Sequence, residues 1–169
     1  KLGLSSVKLT GGEPLLHPDI VAILRYIRSE DLRCVIETNG LLCSPALVEE
    51  IRQCNNPFVS VSLDGARPET HEWVRGVAGS FDQTIGGIKN LVAAGLNPQV
   101  IMSVMRRNVA EIEDVIRLAE KLGAASVKFN IVQPTARGQA IHDASEALSI
   151  DELLDLGERF EKELEAKAK

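Results

Sequence analysis

The alternation of short β-branched runs with amphipathic helical segments constrains the fold of this chain more than any other feature. Each strand-like run is followed by apolar residues spaced three and four positions apart. The five runs begin near Val7, Arg33, Phe58, Gln99 and Ser126. Because consecutive parallel strands need a crossover of helix length, this alternation predicts an α/β fold with one parallel sheet and right-handed crossovers. The sequence shows no second domain, so we expect residues 1–169 to form one domain.

Capping residues predict where several helices begin. Ser44 followed by Pro45 is typical of a helix start, and Ser80 to Gln83 and Ser149 to Glu152 each have the spacing of a capping box. Asn108 is expected to cap the helix after the fourth strand. The segment from His71 to Gly76 lies between two predicted elements, and we expect it to be a loop.

Composition and charge exclude some classes of function. The chain has 169 residues, of which 44% are hydrophobic and 25% charged, with a formal charge of -5 and no basic cluster. This argues against a nucleic-acid partner, because phosphate binding needs concentrated Lys and Arg. The sequence contains neither an apolar run long enough to span a bilayer nor a secretory signal pattern, so we predict a cytoplasmic protein without a membrane partner.

The cysteines are spaced too widely for a metal-binding or redox motif. They are Cys34, Cys43 and Cys54. A C-x-x-C pair would indicate such a motif, and none is present. We therefore expect the three side chains to be structural, and we predict no metal ligands in this chain.

The end of the first strand carries the most distinctive polar motif, Gly11-Gly12-Glu13-Pro14. Two glycines allow positive φ and a close approach of the backbone to a ligand. Glu13 adds a carboxylate beside these exposed backbone groups, which suits a small ligand with an ammonium group. The alternative is an ordinary strand-to-helix turn with a surface glutamate.

Polar residues also follow the other predicted strands. They are Asn39, Ser62, Asp64, Ser103 and the segment from Gln133 to Arg137. The carboxyl ends of parallel strands meet at one edge of a sheet, where α/β proteins bind ligands, so these side chains are expected to converge. For three of them a structural role is an open alternative: Asn39 as a turn former before Gly40, Asp64 as an Asx-turn with Gly65, and Ser103 as a core residue.

Taken together, these motifs resemble the radical S-adenosylmethionine enzymes. The matching blocks, in order, are Leu9 to Pro14, Ser60 to Gly65, His71, Arg75-Gly76, Gly79-Ser80-Phe81 and Pro134 to Gly138. The most similar branch modifies peptides or builds cofactors and often carries an extra cluster-binding domain, the SPASM-like branch. The resemblance implies five βα units of a partial (β/α)6 barrel similar to a TIM barrel, with the first βα unit missing.

The family's cluster motif is the main departure from this resemblance. Members hold a [4Fe-4S] cluster through cysteines spaced C-x3-C-x2-C, upstream of the glycine motif, and the cysteines of this chain do not have that spacing. We therefore expect an N-terminally truncated core fragment that is inactive alone, from a longer parent that is an enzyme.

The resemblance also implies cofactors, partners and site residues. Members cleave S-adenosylmethionine reductively to a 5′-deoxyadenosyl radical, with electrons from a donor such as ferredoxin or flavodoxin, and act here on a peptide or a cofactor precursor. Glu13 with the Gly11-Gly12 backbone would hold the ammonium group, Ser62 and Asp64 the ribose, and Arg75 the carboxylate, for which its planar fork is suited. The other implied cofactor-binding residues are Pro14, Asn39, Ser103 and Arg137.

Two other readings of the chain are open. One is a non-catalytic structural or partner-binding α/β domain, whose exposed edge strand from Val7 to Thr10 would pair with a second copy. The other is a barrel enzyme for phosphorylated metabolites, which is weakened because no strand-end loop has a glycine-rich phosphate cradle. Arg75 could also be a surface ion pair, and Ser62 a polar cross-strand residue.

Overall fold

The computed structural model describes residues 3–132 and 143–167, and these contain a single parallel sheet in the order β1-β2-β3-β4-β5. The strands are β1 (Ser6–Leu9), β2 (Arg33–Thr38), β3 (Asn55–Ser62), β4 (Gln99–Val104) and β5 (Ser126–Ile131). Each strand pairs in parallel with the next along the chain. The predicted α/β architecture is therefore confirmed.

Helices connect the strands on one side of the sheet. They are α1 (Ile20–Ser29), α2 (Pro45–Arg52), α3 (Pro68–Arg75), α4 (Ser80–Ala93), α5 (Ile112–Leu122) and α6 (Ile150–Lys167), with short 3-10 turns at Pro14–Leu16 and Val109–Glu111. None of the helices in the described ranges is both long and apolar enough to cross a bilayer.

The two faces of the sheet differ in chemistry because successive side chains of a strand point to opposite faces. Apolar side chains such as Ile36, Val61 and Met102 are fully buried beneath the helices and form the core with Leu24 and Leu91. The opposite, inner face carries polar positions. The register aligns Glu37 with Ser60 and Ser60 with Gln99, and it aligns Ser62 with Ile101 and Ile101 with Lys128.

Residues 68–75, part of which was predicted to be a loop, form a helix instead. Pro68 occupies the first turn of α3, where a missing N–H is tolerated, and Gly76 ends the helix with φ 69°. The loop prediction was wrong because this helix has only eight residues and its N-cap, Arg67, makes no side-chain capping bond; Pro68 and Gly76 are the signals that mark its two ends. His71 is fully buried on this helix.

The predicted helix caps were confirmed at two places, confirmed in position alone at a third, and wrong at Ser80. Ser44 accepts a hydrogen bond from Leu47 N at 3.4 Å, and Ser149 and Glu152 exchange the bonds of a capping box at 2.6 and 3.2 Å. Ser80, however, is the first residue of α4, since Gly79 is the N-cap with φ 73° and makes the turn itself. Asn108 is the N-cap of the 3-10 turn that leads into α5, as predicted, but its side chain makes no capping bond.

The third strand begins earlier than predicted, at Asn55 instead of Phe58. Asn56 adopts φ 41°, and the pairing of β2 with β3 shifts register between Arg33 and Val35. Asn55, Asn56 and Pro57 are typical turn residues, so the irregular start of this strand has no β-strand signal in the sequence.

Candidate functional site

The Glu13 side chain joins the ends of the first two strands. Its Oε1 accepts hydrogen bonds from Leu15 N at 3.1 Å and from the Thr38 hydroxyl at 2.7 Å, and its Oε2 accepts one from Asn39 N at 2.7 Å. Donors to a carboxylate stabilise the ionised form and fix its orientation. The carboxylate is thus held in one position at the carboxyl ends of β1 and β2.

The two glycines before Glu13 leave open space beside its carboxylate. Gly11 has φ 121°, a conformation that L-residues rarely adopt, and a Cβ on Gly11 or Gly12 would have no heavy atom within 4 Å. Gly11 is therefore required by its backbone conformation. The exposed backbone of both residues is accessible to a ligand.

A cavity of about 270 Å³ lies at this edge of the sheet. Six of the predicted site residues line it: Gly11, Gly12, Glu13, Asn39, Ser62 and Arg75. Its walls also include residues that we did not predict, namely Thr10, Glu37, Thr38, Leu41, Val77 and Ser80. The structure therefore brings together side chains from the ends of β1, β2 and β3 with the end of α3 and the start of α4. A concave site with several convergent polar groups is the usual form of a small-molecule site.

Asp64 and Ser103 lie next to this cavity. Asp64 contacts Arg75, and Ser103 contacts Asp64. Nη2 of Arg75 is 2.5 Å from Oδ2 of Asp64 in an ion pair, and Ser103 donates its backbone N–H to Oδ1 of Asp64 at 2.7 Å. Asp64 is buried and does not line the cavity. Its carboxylate therefore holds the guanidinium of Arg75, which does line the cavity. Ser103 takes part through its backbone.

The backbone of Asp64 is held by two buried side chains. His71 Nδ1 accepts a hydrogen bond from Asp64 N at 3.2 Å, and Asn108 Nδ2 donates to Asp64 O and to Ser103 O, each at 2.9 Å. Burial lowers the pKa of His71 to about 4, so its imidazole is neutral at pH 7. These contacts tie β3, β4 and α3 together beneath Arg75.

Glu111 anchors the loop that follows β3. Its carboxylate accepts hydrogen bonds from Ala66 N at 2.8 Å and from the Thr70 hydroxyl at 2.5 Å. We did not predict a role for Glu111 or for the Asn108 contacts. Apart from the bond of Asn108 to Ser103, these contacts join residues 41 to 45 positions apart, so local sequence patterns carry no signal for them.

Three buried polar atoms near the cavity have no hydrogen-bond partner within the described residues. They are His71 Nε2, Arg75 Nε and Ser80 Oγ. An unpaired buried polar group costs free energy, and such groups in native structures usually have an unseen partner. Because Ser80 and Arg75 line the cavity, a ligand with carboxylate or hydroxyl groups would satisfy their donors. The residues present therefore fit an amino-acid-like ligand, with Glu13 for its ammonium group.

The cysteines do not fit an iron–sulfur cluster. Cys34, Cys43 and Cys54 are all buried, and burial raises the pKa of Cys34 and of Cys43 to about 12. In residues 3–132 and 143–167, no group of three or more His, Cys, Asp or Glu side chains is placed to hold a metal ion. Pro14 begins the 3-10 turn after Glu13, and Arg137 lies outside the described residues, so its predicted role stays a prediction.

Sequence comparisons identify relatives of this chain. The AdoMet-dependent heme synthase of Methanosarcina barkeri is 40% identical over 146 residues, which cover 86% of this chain and 42% of that protein. The mycofactocin maturase MftC of Mycobacterium tuberculosis is 32% identical over 133 residues, covering 78% of this chain and 34% of that protein. The chain thus spans less than half the length of either relative.

Solved structures share the fold. Streptococcus suis SuiB bound to S-adenosylmethionine superposes with a TM-score of 0.76 at 16% identity, covering 96% of this chain and 37% of SuiB. SuiB bound to the precursor peptide SuiA gives a TM-score of 0.75 with similar coverage. The model of the Radical SAM superfamily matches residues 1–119. As the motif order predicted, the chain belongs to the Radical SAM superfamily.

Proposed function

We propose that this chain is the S-adenosylmethionine-binding core of a radical enzyme that modifies a peptide or a cofactor precursor. The observation that carries the proposal is the Glu13 carboxylate, fixed by three hydrogen bonds in the wall of the cavity beside the open Gly11-Gly12 backbone. A fixed anion next to accessible backbone groups is suited to an ammonium group. The nearby donors of Arg75 and Ser80 supply a partner for the carboxylate of the same ligand.

Within this proposal each residue has a separate role. Glu13 binds the ammonium group, and the Gly11-Gly12 backbone allows its close approach. Arg75 binds the carboxylate, and Asp64 holds the guanidinium in place. Ser62 lines the cavity where a ribose hydroxyl would lie.

The other predicted ligands fall into two groups. Asn39 lines the cavity, and its N–H and side chain are bound to Glu13 and Leu41 N, so we propose that it shapes the wall. Pro14 and Ser103 support Glu13 and Asp64. A direct ribose contact by Asp64 would require its side chain to become accessible, because it is buried and does not line the cavity.

When bound together with a reduced iron–sulfur cluster, S-adenosylmethionine supplies a 5′-deoxyadenosyl radical that abstracts hydrogen. The cysteines of this chain do not fit that cluster, so we derive no step through it. The protein's contribution is to bind and orient the cofactor and to exclude water around it. We further propose that the parent protein is cytoplasmic, takes electrons from a donor such as ferredoxin or flavodoxin, and contains the cluster ligands that this chain lacks, so that the chain alone is inactive.

The relatives support the proposed substrate classes. Two of them are named for heme synthesis and mycofactocin maturation, and SuiB has been solved with its precursor peptide. We therefore propose a peptide or a cofactor precursor as the substrate of the parent protein.

A second function is favoured by one observation. Among the described strands, β1 pairs only with β2, so one edge of β1 carries backbone groups without a strand partner. Such edges recruit other strands, and a non-catalytic partner-binding domain would use this one.

Isothermal titration calorimetry with S-adenosylmethionine tests the main proposal. We expect the wild-type chain to bind, and Glu13→Gln and Arg75→Gln each to weaken binding by about tenfold or more, since a charged hydrogen bond contributes roughly 1.5 to 3 kcal/mol. Glu49→Gln is the matched control, because Glu49 forms an exposed pair with Arg52 on α2. Equal affinities of the wild type and the Glu13 and Arg75 variants would contradict the proposal.

A further inference from the structure

The inner face of the sheet is unusually polar for a barrel-like fold. In closed TIM barrels the inward side chains are mostly bulky and branched, and they fill the interior as a packed core. Here the row that crosses β2, β3, β4 and β5 consists of Glu37, Ser60, Gln99 and Ser126. The next row places Lys128 in register with Ile101, and Ile101 with Ser62 of the cavity wall. The polar residues of these two rows are suited to contacts with a polar ligand, although Ile101 between them is apolar and buried.

The charges on this face centre on Glu37. Lys8 Nζ lies 2.7 Å from Glu37 Oε1, and the Thr10 hydroxyl donates to Glu37 Oε2 at 3.1 Å. The bond from Lys8 is the main cause of a lowered pKa of Glu37, and the charge of Lys128 lowers it further. Lys128 therefore lies close enough to act on Glu37, although β3 and β4 separate their strands.

This region of the inner face and the cavity contains three cations, Lys8, Arg75 and Lys128, and three carboxylates, Glu13, Glu37 and Asp64. Lys8 is paired with Glu37, and Arg75 with Asp64. Lys128 is exposed and has no carboxylate within 4 Å in the part of the chain that the structure describes. Arg33, the other cation on this face, is at the opposite end of β2 and stacks over Phe58. Because the proposed function assigns Glu13 to the ammonium group of the cofactor, Lys128 is the cation that these carboxylates leave for another ligand.

We propose that Lys128, assisted by Lys8, binds a carboxylate group of the substrate on the inner face of the sheet. The inference rests on the proposed function, because a substrate held there would lie next to the cofactor cavity. It narrows the substrate to carboxylate-bearing molecules. The carboxylate belongs either to a propionate of a tetrapyrrole or to an acidic side chain of a peptide, and both sources present the same group to the lysine.

Fluorescence titration distinguishes these sources. The first probe is coproporphyrin III, with its tetramethyl ester as the neutral analogue. The second is a labelled ten-residue peptide with one central Glu, compared with the same peptide carrying Gln. The proteins are the wild-type chain, Lys128→Gln, Lys128→Glu and the control Lys121→Gln, in which an exposed lysine of α5 is changed.

For at least one acidic probe we expect the neutral analogue to bind more weakly. Lys128→Gln should raise the Kd of that probe about fivefold, Lys128→Glu should raise it more, and Lys121→Gln should leave it within about twofold. If the Kd of the porphyrin depends on Lys128, the site binds a tetrapyrrole. If the Kd of the peptide depends on Lys128, the site binds an acidic segment of a peptide. The proposal is overturned if both acidic probes bind Lys128→Gln as tightly as the wild type, or if neither probe binds better than its neutral analogue.

Titration of the same Lys128 variants with S-adenosylmethionine separates this inference from the proposed function. We expect unchanged cofactor binding, because Lys128 does not line the cavity. The wild-type chain could fail to bind S-adenosylmethionine and still prefer the acidic probe in a way that depends on Lys128. That result would contradict the proposed function but not the inference about Lys128.

Discussion

Nη2 of Arg75 lies 2.5 Å from Oδ2 of Asp64, and the side chain of Asp64 is 1% exposed whereas that of Arg75 is 20% exposed. The buried carboxylate of Asp64 therefore holds the more accessible guanidinium of Arg75. The cavity wall presents the guanidinium, while the carboxylate behind it receives a second bond from Ser103 N. This arrangement fixes the guanidinium of Arg75 in the cavity wall.

Removing Asp64 should destabilise the fold. Asp64→Ala leaves the Arg75 guanidinium and the Ser103 N–H without their partner, and breaking a buried pair in this way typically costs about 3 to 5 kcal/mol. Because Arg75 is partly exposed and can reach water, we expect a loss of about 3 kcal/mol in the free energy of unfolding, measured by urea denaturation. The control Arg52→Gln removes an exposed pair and should change that free energy by less than about 1 kcal/mol. Similar values for the two variants would show that the Asp64 pair contributes little.

Two adjacent glycines of α4 should respond in opposite directions to alanine. A Cβ on Gly87 would lie 2.1 Å from the carbonyl oxygen of Gly40, whereas a Cβ on Gly86 would have no atom within 4 Å. Gly87→Ala would push α4 away from the turn after Asn39, and we expect a loss of about 2 to 3 kcal/mol. Gly86→Ala should raise stability by about 0.5 to 1 kcal/mol, because alanine is the better helix former. Thermal unfolding of both variants measures the difference, and a tolerated Gly87→Ala would mean that α4 does not pack this closely.

Acid should destabilise the protein partly through His71. Burial lowers the pKa of His71 to about 4 in the folded state, against 6.5 as its ordinary value. Its contribution to stability is therefore present above pH 6.5 and is lost as the pH falls from 6.5 to about 4, by about 3 kcal/mol in all. We expect His71→Gln to flatten the dependence of the unfolding free energy on pH over this interval.

The exposed His17 offers the control for that measurement. The curve of His17→Gln shows the effect of replacing an exposed histidine, and the curve of His71→Gln is compared with it. Parallel curves for His71→Gln and the wild type would rule out His71 as the titrating group.

The fold and much of the site could be predicted from the sequence because both follow from local patterns and topology. Gly11, Gly12 and Glu13 are adjacent in sequence, and the parallel arrangement places Asn39 and Ser62 at the same edge. Six predicted residues accordingly line one cavity. The order of the motif blocks also identified the family correctly.

The residues that we missed act through contacts distant in sequence. Thr38 looks like an ordinary strand residue, but its hydroxyl binds Glu13 at 2.7 Å. Asn108 resembles a helix cap, yet its side chain binds the backbone of Asp64. Ser80 resembles a capping residue, but the left-handed conformation of Gly79 places it inside the helix with its Oγ buried. In each case the local sequence is compatible with two roles, and tertiary packing determines which of them the residue has.

The free edge of β1 predicts self-association. Among the described strands only β2 pairs with it, and unpaired backbone groups along an edge favour pairing with another strand. Sedimentation velocity of the chain at increasing concentration should show a rising dimer fraction. A constant monomer mass at several hundred micromolar, on the order of the concentrations at which weak strand pairing becomes visible, would count against it.

Mapping S-adenosylmethionine onto the protein by ¹⁵N–¹H correlation spectra tests the central claim most directly. We predict saturable shifts of the amide signals of Gly11, Gly12, Asn39 and Ser80, which surround the cavity, and unchanged signals along α5. The shifts should be lost or strongly reduced in Glu13→Gln. Unchanged spectra up to millimolar cofactor, or shifts away from the cavity that persist in Glu13→Gln, would contradict the assignment of this cavity as the cofactor site.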